Sequence, residues 1–136
     1  MKKLILFTDG GSRGNPGPAA IGAVVYSSEG DVKETISRYI GETTNNQAEY
    51  QALFAGLQAC QVQGAEEINC YLDSELLVRQ LNGQYKVKDP GLTEQYHKVQ
   101  NELRKFNKVT FTHVPREKNK LADQMVNEAL DQQKKN

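Results

Sequence analysis

The chain has 136 residues, 38% hydrophobic and 25% charged, with 17 basic and 17 acidic side chains balancing to a formal net charge of +0. That is enough for one domain around one core, expected over residues 1–136. No apolar run approaches the roughly 20 residues of a membrane helix, and the balanced charge argues against a uniformly basic surface of the kind that coats nucleic acid non-specifically.

The elements follow in chain order. Leu4-Ile5-Leu6-Phe7, after Met1-Lys2-Lys3, stops at Thr8-Asp9-Gly10. It is too short for the core of a signal peptide and reads as a first buried strand over 3–9. Gly10 to Pro18 is dense in turn formers and reads as a loop. Residues 20–28 and 32–41 read as the second and third strands, joined at Ser28-Glu29-Gly30-Asp31, and short links make all three antiparallel. Thr44 with Gln47 three residues later forms a capping box. A helix follows from near residue 46 to about 63, stopped by Gly64. Residues 67–73 are a fourth strand, 74–81 a short helix, 92–106 another helix, 108–114 a fifth strand and 119–133 a last helix. Strands four and five follow helices, so they are expected parallel to the first. The expected fold is α/β: a mixed five-stranded sheet with helices on both faces. Cys60 and Cys70 lack metal-ligand spacing and read as buried free thiols of a reducing, cytoplasmic setting.

Four carboxylates stand where apolar residues belong. Glu49, Leu53, Gly56 and Cys60 fall on one helical face, and so do Asp123, Val126 and Leu130. Asp9 shares a strand face with Ile5 and Phe7, and Asp73 closes the fourth strand. If the first and fourth strands are parallel neighbours, Asp9 and Asp73 meet at their carboxyl ends, where open α/β sheets place ligands. Each acid alone has an ordinary explanation: a turn for Asp9, the helix dipole for Glu49, a helix cap for Asp73, a lysine partner for Asp123. All four at one sheet edge would repel each other unless neutralised, and hard divalent ions such as Mg²⁺ take carboxylate oxygens. Two such ions suit an in-line phosphodiester displacement. Arg116, Lys118 and Lys120 remain to meet phosphate.

The segments carrying these acids resemble the type 1 ribonuclease H family. They are Thr8-Asp9-Gly10-Gly11-Ser12-Arg13-Gly14-Asn15-Pro16-Gly17, Thr44-Asn45-Asn46-Gln47-Ala48-Glu49-Tyr50, Leu72-Asp73-Ser74-Glu75 running to Leu81-Asn82-Gly83, and His113-Val114-Pro115 with Asn119-Lys120-Leu121-Ala122-Asp123. They cover nearly the whole chain in family order. The resemblance implies a ribonuclease H-like fold and an endoribonuclease that cuts the RNA strand of an RNA/DNA hybrid with two metal ions, Mg²⁺ or alternatively Mn²⁺. It implies Asp9, Glu49, Asp73 and Asp123 as metal ligands. Asn15, Asn45 and Asn46 would read the RNA strand, where the 2′-hydroxyl is both donor and acceptor, and Thr44 would seat a DNA-strand phosphate.

The chain also departs from its relatives. It has no Trp, and Asn82 to Thr93 is too short for the basic protrusion many of them carry, so weaker substrate binding is expected. An added hybrid-binding domain is not expected, since no residues of the 136 remain to build one. The loop histidine of many relatives is missing, and Arg116 stands nearest its place as the candidate late-acting group. His113 is expected to pack beside the sheet, and His97 to lie on a helix surface. The competing reading, a non-catalytic hybrid-binding module, would be marked by loss of a metal ligand, and none is lost. A DNA nuclease or recombinase of the same fold is disfavoured by the Asn45-Asn46 pair. The chain is expected to act as a monomer.

Overall fold

The computed structural model describes residues 2–135; Met1 and Asn136, the ends of the expected domain, lie outside them. Five strands, β1 (Lys3–Ser12), β2 (Gly17–Ser27), β3 (Val32–Thr43), β4 (Glu67–Leu72) and β5 (Lys108–His113), form one sheet in the order β3-β2-β1-β4-β5. β1 pairs antiparallel with β2, and β2 with β3; β4 is parallel to β1, and β5 to β4. The helices are α1 (Asn45–Val62), α2 (Glu75–Leu81), α3 (Pro90–Leu103) and α4 (Lys120–Lys135), with a single 3-10 turn at Arg116–Lys118 before the last. This is the expected topology.

The two faces of the sheet are covered unequally. Leu4, Leu6, Val25, Ile68, Cys70 and Leu72 meet Leu53, Leu57 and Cys60 of α1 and Val99 of α3 in the main core. On the other face Ala20 meets Val126, Ala129 and Leu130 of α4 in a smaller cluster. The helical stripe from Glu49 to Cys60 is buried as its spacing predicts.

Several boundaries move. Gly10–Ser12, expected as loop, continues β1 and pairs with Ile21–Ala19 of β2. Turn-forming composition loses here to the ladder, and the glycines serve packing instead. A Cβ on Gly10 would lie 2.4 Å from the Ala48 carbonyl carbon, so a bare backbone lets α1 cross the strand. Gly22, paired with Asp9, does the same on the other face, where a Cβ would lie 2.2 Å from the Ala122 carbonyl oxygen. α3 starts two residues earlier than expected, because Pro90 occupies its first turn and the Asp89 carboxylate accepts from the Gly91 amide at 2.9 Å. It ends at Leu103 rather than 106. Thr44 caps α1 by accepting from the Gln47 amide at 3.2 Å, but Gln47 turns its side-chain oxygen to the Thr43 hydroxyl, leaving the capping box half made. Among the described residues, no helix is long and apolar enough to cross a membrane.

Candidate active site

The site forms where β1 outruns β4. Their register ends at Thr8 opposite Leu72, so Asp9, still within β1, and Asp73, just past β4, lie side by side. α1 brings Glu49 over Gly10 and α4 brings Asp123 over Gly22, one helix from each face, at the two glycines that permit the approach. Asp9, Glu49 and Asp73 offer carboxylate oxygens within 4.8 Å of one another. Asp123 lines the same cavity, of about 500 Å³, with Asn45, Asn46, Ser74, Arg116 and Asn127.

Asp9 and Glu49 are only 8% and 7% exposed. Burial, with repulsion from Asp73 and Asp123, pushes the Asp9 carboxyl up to about 7. Burial and the neighbouring Asp9 push Glu49 well above its ordinary value, although the Gly10 amide donates to its Oε1 at 2.6 Å. Burial also raises Asp73, opposed by a hydrogen bond from the Asn119 side chain and by the charge of Arg116. Clustered acids raised in this way are short of positive charge. The nearest cation, Arg116, is 80% exposed and lies 3.6 Å from Asp123 at the rim. An all-oxygen set with partial burial and one open side fits a hard divalent cation.

The ordinary explanations for single acids do not hold for Asp73 or Glu49. Ser74, not Asp73, caps α2, accepting from the Leu77 amide at 3.3 Å, and this leaves the Asp73 carboxylate free. Glu49 lies past the first turn of α1, beyond the reach of a simple dipole effect. Asp123 pairs with Arg116 rather than a lysine.

The asparagines line up beside the acids. The Asn45 amide nitrogen of the backbone donates to Asn15 Oδ1 at 3.0 Å, and the Ser12 backbone N–H donates to Asn45 Oδ1 at 2.7 Å. A backbone N–H only donates, so both side-chain carbonyls are committed inward. Asn15 and Asn45 therefore display NH₂ donors to solvent, a narrower role than a free amide has. The Asn46 side chain hydrogen-bonds none of the described residues and keeps both roles. Asn15 and Thr44 lie outside the cavity lining. His97 is exposed as expected. His113 is exposed too, against the expectation that it packs beside the sheet: it ends an edge strand, opposite Leu72. Asn119, in the loop before Asp123, was given no role by sequence reasoning. It is 2% exposed and donates from Nδ2 to the Thr8 carbonyl at 2.8 Å. The only signal for it was an amide just before a helix, which reads as an ordinary cap.

A sequence profile described as reverse transcriptase-like matches residues 7–129. A crystal structure of ribonuclease H1 from the archaeon Halobacterium salinarum superposes with a TM-score of 0.93 at 42% identity, covering 96% of this chain and 98% of that one. The chain belongs to the type 1 ribonuclease H family. The same architecture recurs in another ribonuclease H1, named LC11 and solved in complex with an RNA/DNA hybrid, with a TM-score of 0.91, 47% identity and coverage of 95% and 97%. Among curated sequences, a bifunctional protein of Mycobacterium tuberculosis is 42% identical over 130 residues, which are 95% of this ribonuclease H-family chain but 36% of that protein. The ribonuclease HI of Halobacterium salinarum is 44% identical over 125 residues, 92% of this chain and 63% of the relative.

Proposed function

We propose that this chain is an endoribonuclease that hydrolyses the RNA strand of RNA/DNA hybrids, leaving 5′-phosphate and 3′-hydroxyl ends. The observation that carries the reading is the trio Asp9, Glu49 and Asp73 within 4.8 Å, the first two buried and the third half-buried, short of counter-charge and beside a row of amides. Family membership, and a relative solved with an RNA/DNA hybrid, support it.

In this reading Asp9, Glu49, Asp73 and Asp123 hold Mg²⁺, with Mn²⁺ as the alternative, as two ions when substrate is present. When bound, such a pair supplies activation of water and stabilisation of the departing 3′ oxygen in an in-line displacement. The chain's own contribution is placement. Gly10 and Gly22 let two helices deliver Glu49 and Asp123 to the strand end, and the Gly10 amide orients Glu49. Arg116, at the rim, binds the scissile or departing phosphate; a guanidinium stays charged and does not serve as a base. Asn15 and Asn45 donate to acceptors on the RNA strand, Asn46 exchanges both roles with a 2′-hydroxyl, and Thr44 seats a phosphate of the DNA strand. Residues 1–136 act as one monomeric domain in the cytoplasm, where the buried thiols of Cys60 and Cys70 stay reduced.

The test uses labelled RNA/DNA hybrid, double-stranded RNA and double-stranded DNA, each with Mg²⁺, Mn²⁺ or chelator. Cleavage of the hybrid's RNA strand alone, abolished by chelator, is expected. Metal-independent cleavage, or preferred cleavage of the DNA duplex, would reject the reading.

A further inference from the structure

We propose that Asn119 is a positioning residue of the carboxylate site: clamped between Thr8 of β1 and the start of α4, it holds Asp9 and Asp123 in one arrangement. The inference rests on the metal-site reading above and adds a residue to it.

Asn119 touches the chain leading to each of these acids. Its Nδ2 donates to the carbonyl of Thr8, the residue before Asp9, at 2.8 Å in a buried bond. Its backbone oxygen accepts from the Asp123 amide at 3.1 Å, the first hydrogen bond of α4. Its own amide donates to the Arg116 carbonyl at 2.9 Å, closing the 3-10 turn that carries the rim arginine.

Helix capping does not account for the residue. A capping asparagine accepts a backbone N–H through its side-chain oxygen, whereas Asn119 Oδ1 is buried with no hydrogen-bond partner. An unpaired buried acceptor costs about 1–3 kcal/mol, and an apolar side chain there would avoid the cost. The amide is therefore kept for its NH₂ group, whose acceptor, the Thr8 carbonyl, lies at the site beside Asp9. Support of this kind behind a metal ligand alters affinity or activity by about 10–100-fold when removed.

The experiment measures Mn²⁺ binding to the free protein by calorimetry, with hybrid cleavage alongside, for the parent, Asn119→Ala and Val99→Ala. Val99 is fully buried in α3, remote from the acids, and its truncation controls for lost stability alone. Asn119→Ala is expected to weaken Mn²⁺ binding by about 10–100-fold, with lower kcat and an unchanged KM for hybrid at saturating metal. Val99→Ala is expected to bind Mn²⁺ as the parent does. If Asn119→Ala does not fold, Asn119→Ser, which keeps a small polar group without the reach, is measured in its place with the same expectation. An Asn119 variant that melts lower yet binds Mn²⁺ like the parent overturns the positioning role. A parent that binds Mn²⁺ but leaves hybrid intact rejects the proposed activity while the isotherms still judge Asn119. A parent that binds no Mn²⁺ overturns both.

Discussion

The site has an interior and a rim, and they are built on different terms. Asp9, Glu49 and Asp73 are crowded, partly or wholly buried and raised above ordinary carboxylate values by burial and one another. Asp123, Arg116, Asn45 and Asn46 surround the opening, where water screens charge; Arg116 is 80% exposed. The interior is costly without a cation and has little freedom to adapt. The rim costs little, adapts, and is the part that meets substrate. Loss of an interior acid should therefore remove function outright, and changes at the rim should grade it.

The largest effect is expected from the interior. Asp9→Asn, Glu49→Gln or Asp73→Asn each removes a charged ligand. Hybrid cleavage should fall by more than about a hundredfold, beyond the range for indirect metal support. Metal-free thermal stability should hold or rise as repulsion is relieved. Wild-type turnover in any of the three would erase the distinction between interior and rim.

The rim asparagines come next. Asn46→Ala breaks no hydrogen bond of the described residues, so its melting temperature should stay at the parent's while hybrid cleavage falls by about tenfold, the worth of one good hydrogen bond. Asn45→Ala additionally frees the Ser12 amide and should also melt lower. Equal cutting by the double variant Asn45→Ala/Asn46→Ala would take RNA reading away from this loop.

A smaller split separates Arg116 from His113. Arg116→Ala should lower turnover several-fold to about tenfold, with stability unchanged, because its one ion pair is solvent-exposed. His113→Ala should leave both within error, about 0.5 kcal/mol in stability, since the side chain is exposed at an edge. Kinetics and melting curves of the two variants compare them directly; loss of turnover in His113→Ala alone would move the rim function to the other side of the loop.

A separate effect, on stability rather than turnover, is in the pH dependence of the metal-free protein. Asp9 stands near 3.8 unfolded and is raised to about 7 folded. The folded state thus holds a proton that the unfolded state has released, and the site's contribution to stability falls as pH rises from about 4 to about 7. Melting temperatures in chelator, relative to Asp9→Asn, should drop across that window, and Mg²⁺ should cancel the drop. A parent and variant that track each other would show that Asp9 carries no such burden.

Three of the acids were legible because they violate a periodic pattern: Glu49 begins an apolar helical stripe, Asp123 sits in line with Val126 and Leu130, and Asp9 continues Ile5 and Phe7; Asp73 was legible from its place at the end of a strand. The parallel placement of β4 followed from chain connectivity alone. Gly10–Ser12 was not legible as strand, because a glycine kept for the close passage of a helix looks the same in sequence as one kept for a turn. Exposure of His113 depended on which helix covers the last strand, a tertiary fact. The inward commitment of the Asn15 and Asn45 carbonyls and the clamp at Asn119 join residues 30, 33 and 111 positions apart, which no local pattern records.

Whether Asp9, Glu49 and Asp73 form a cation site can be seen by anomalous scattering from crystals of the protein grown with Mn²⁺. An anomalous peak is expected at about 2.0–2.2 Å from carboxylate oxygens of Asp9 together with Glu49 or Asp73, the distance of a hard divalent ion, lost in crystals of Asp9→Asn. Crystals with the trio intact and strong anomalous peaks elsewhere, but none between these carboxylates, would contradict it.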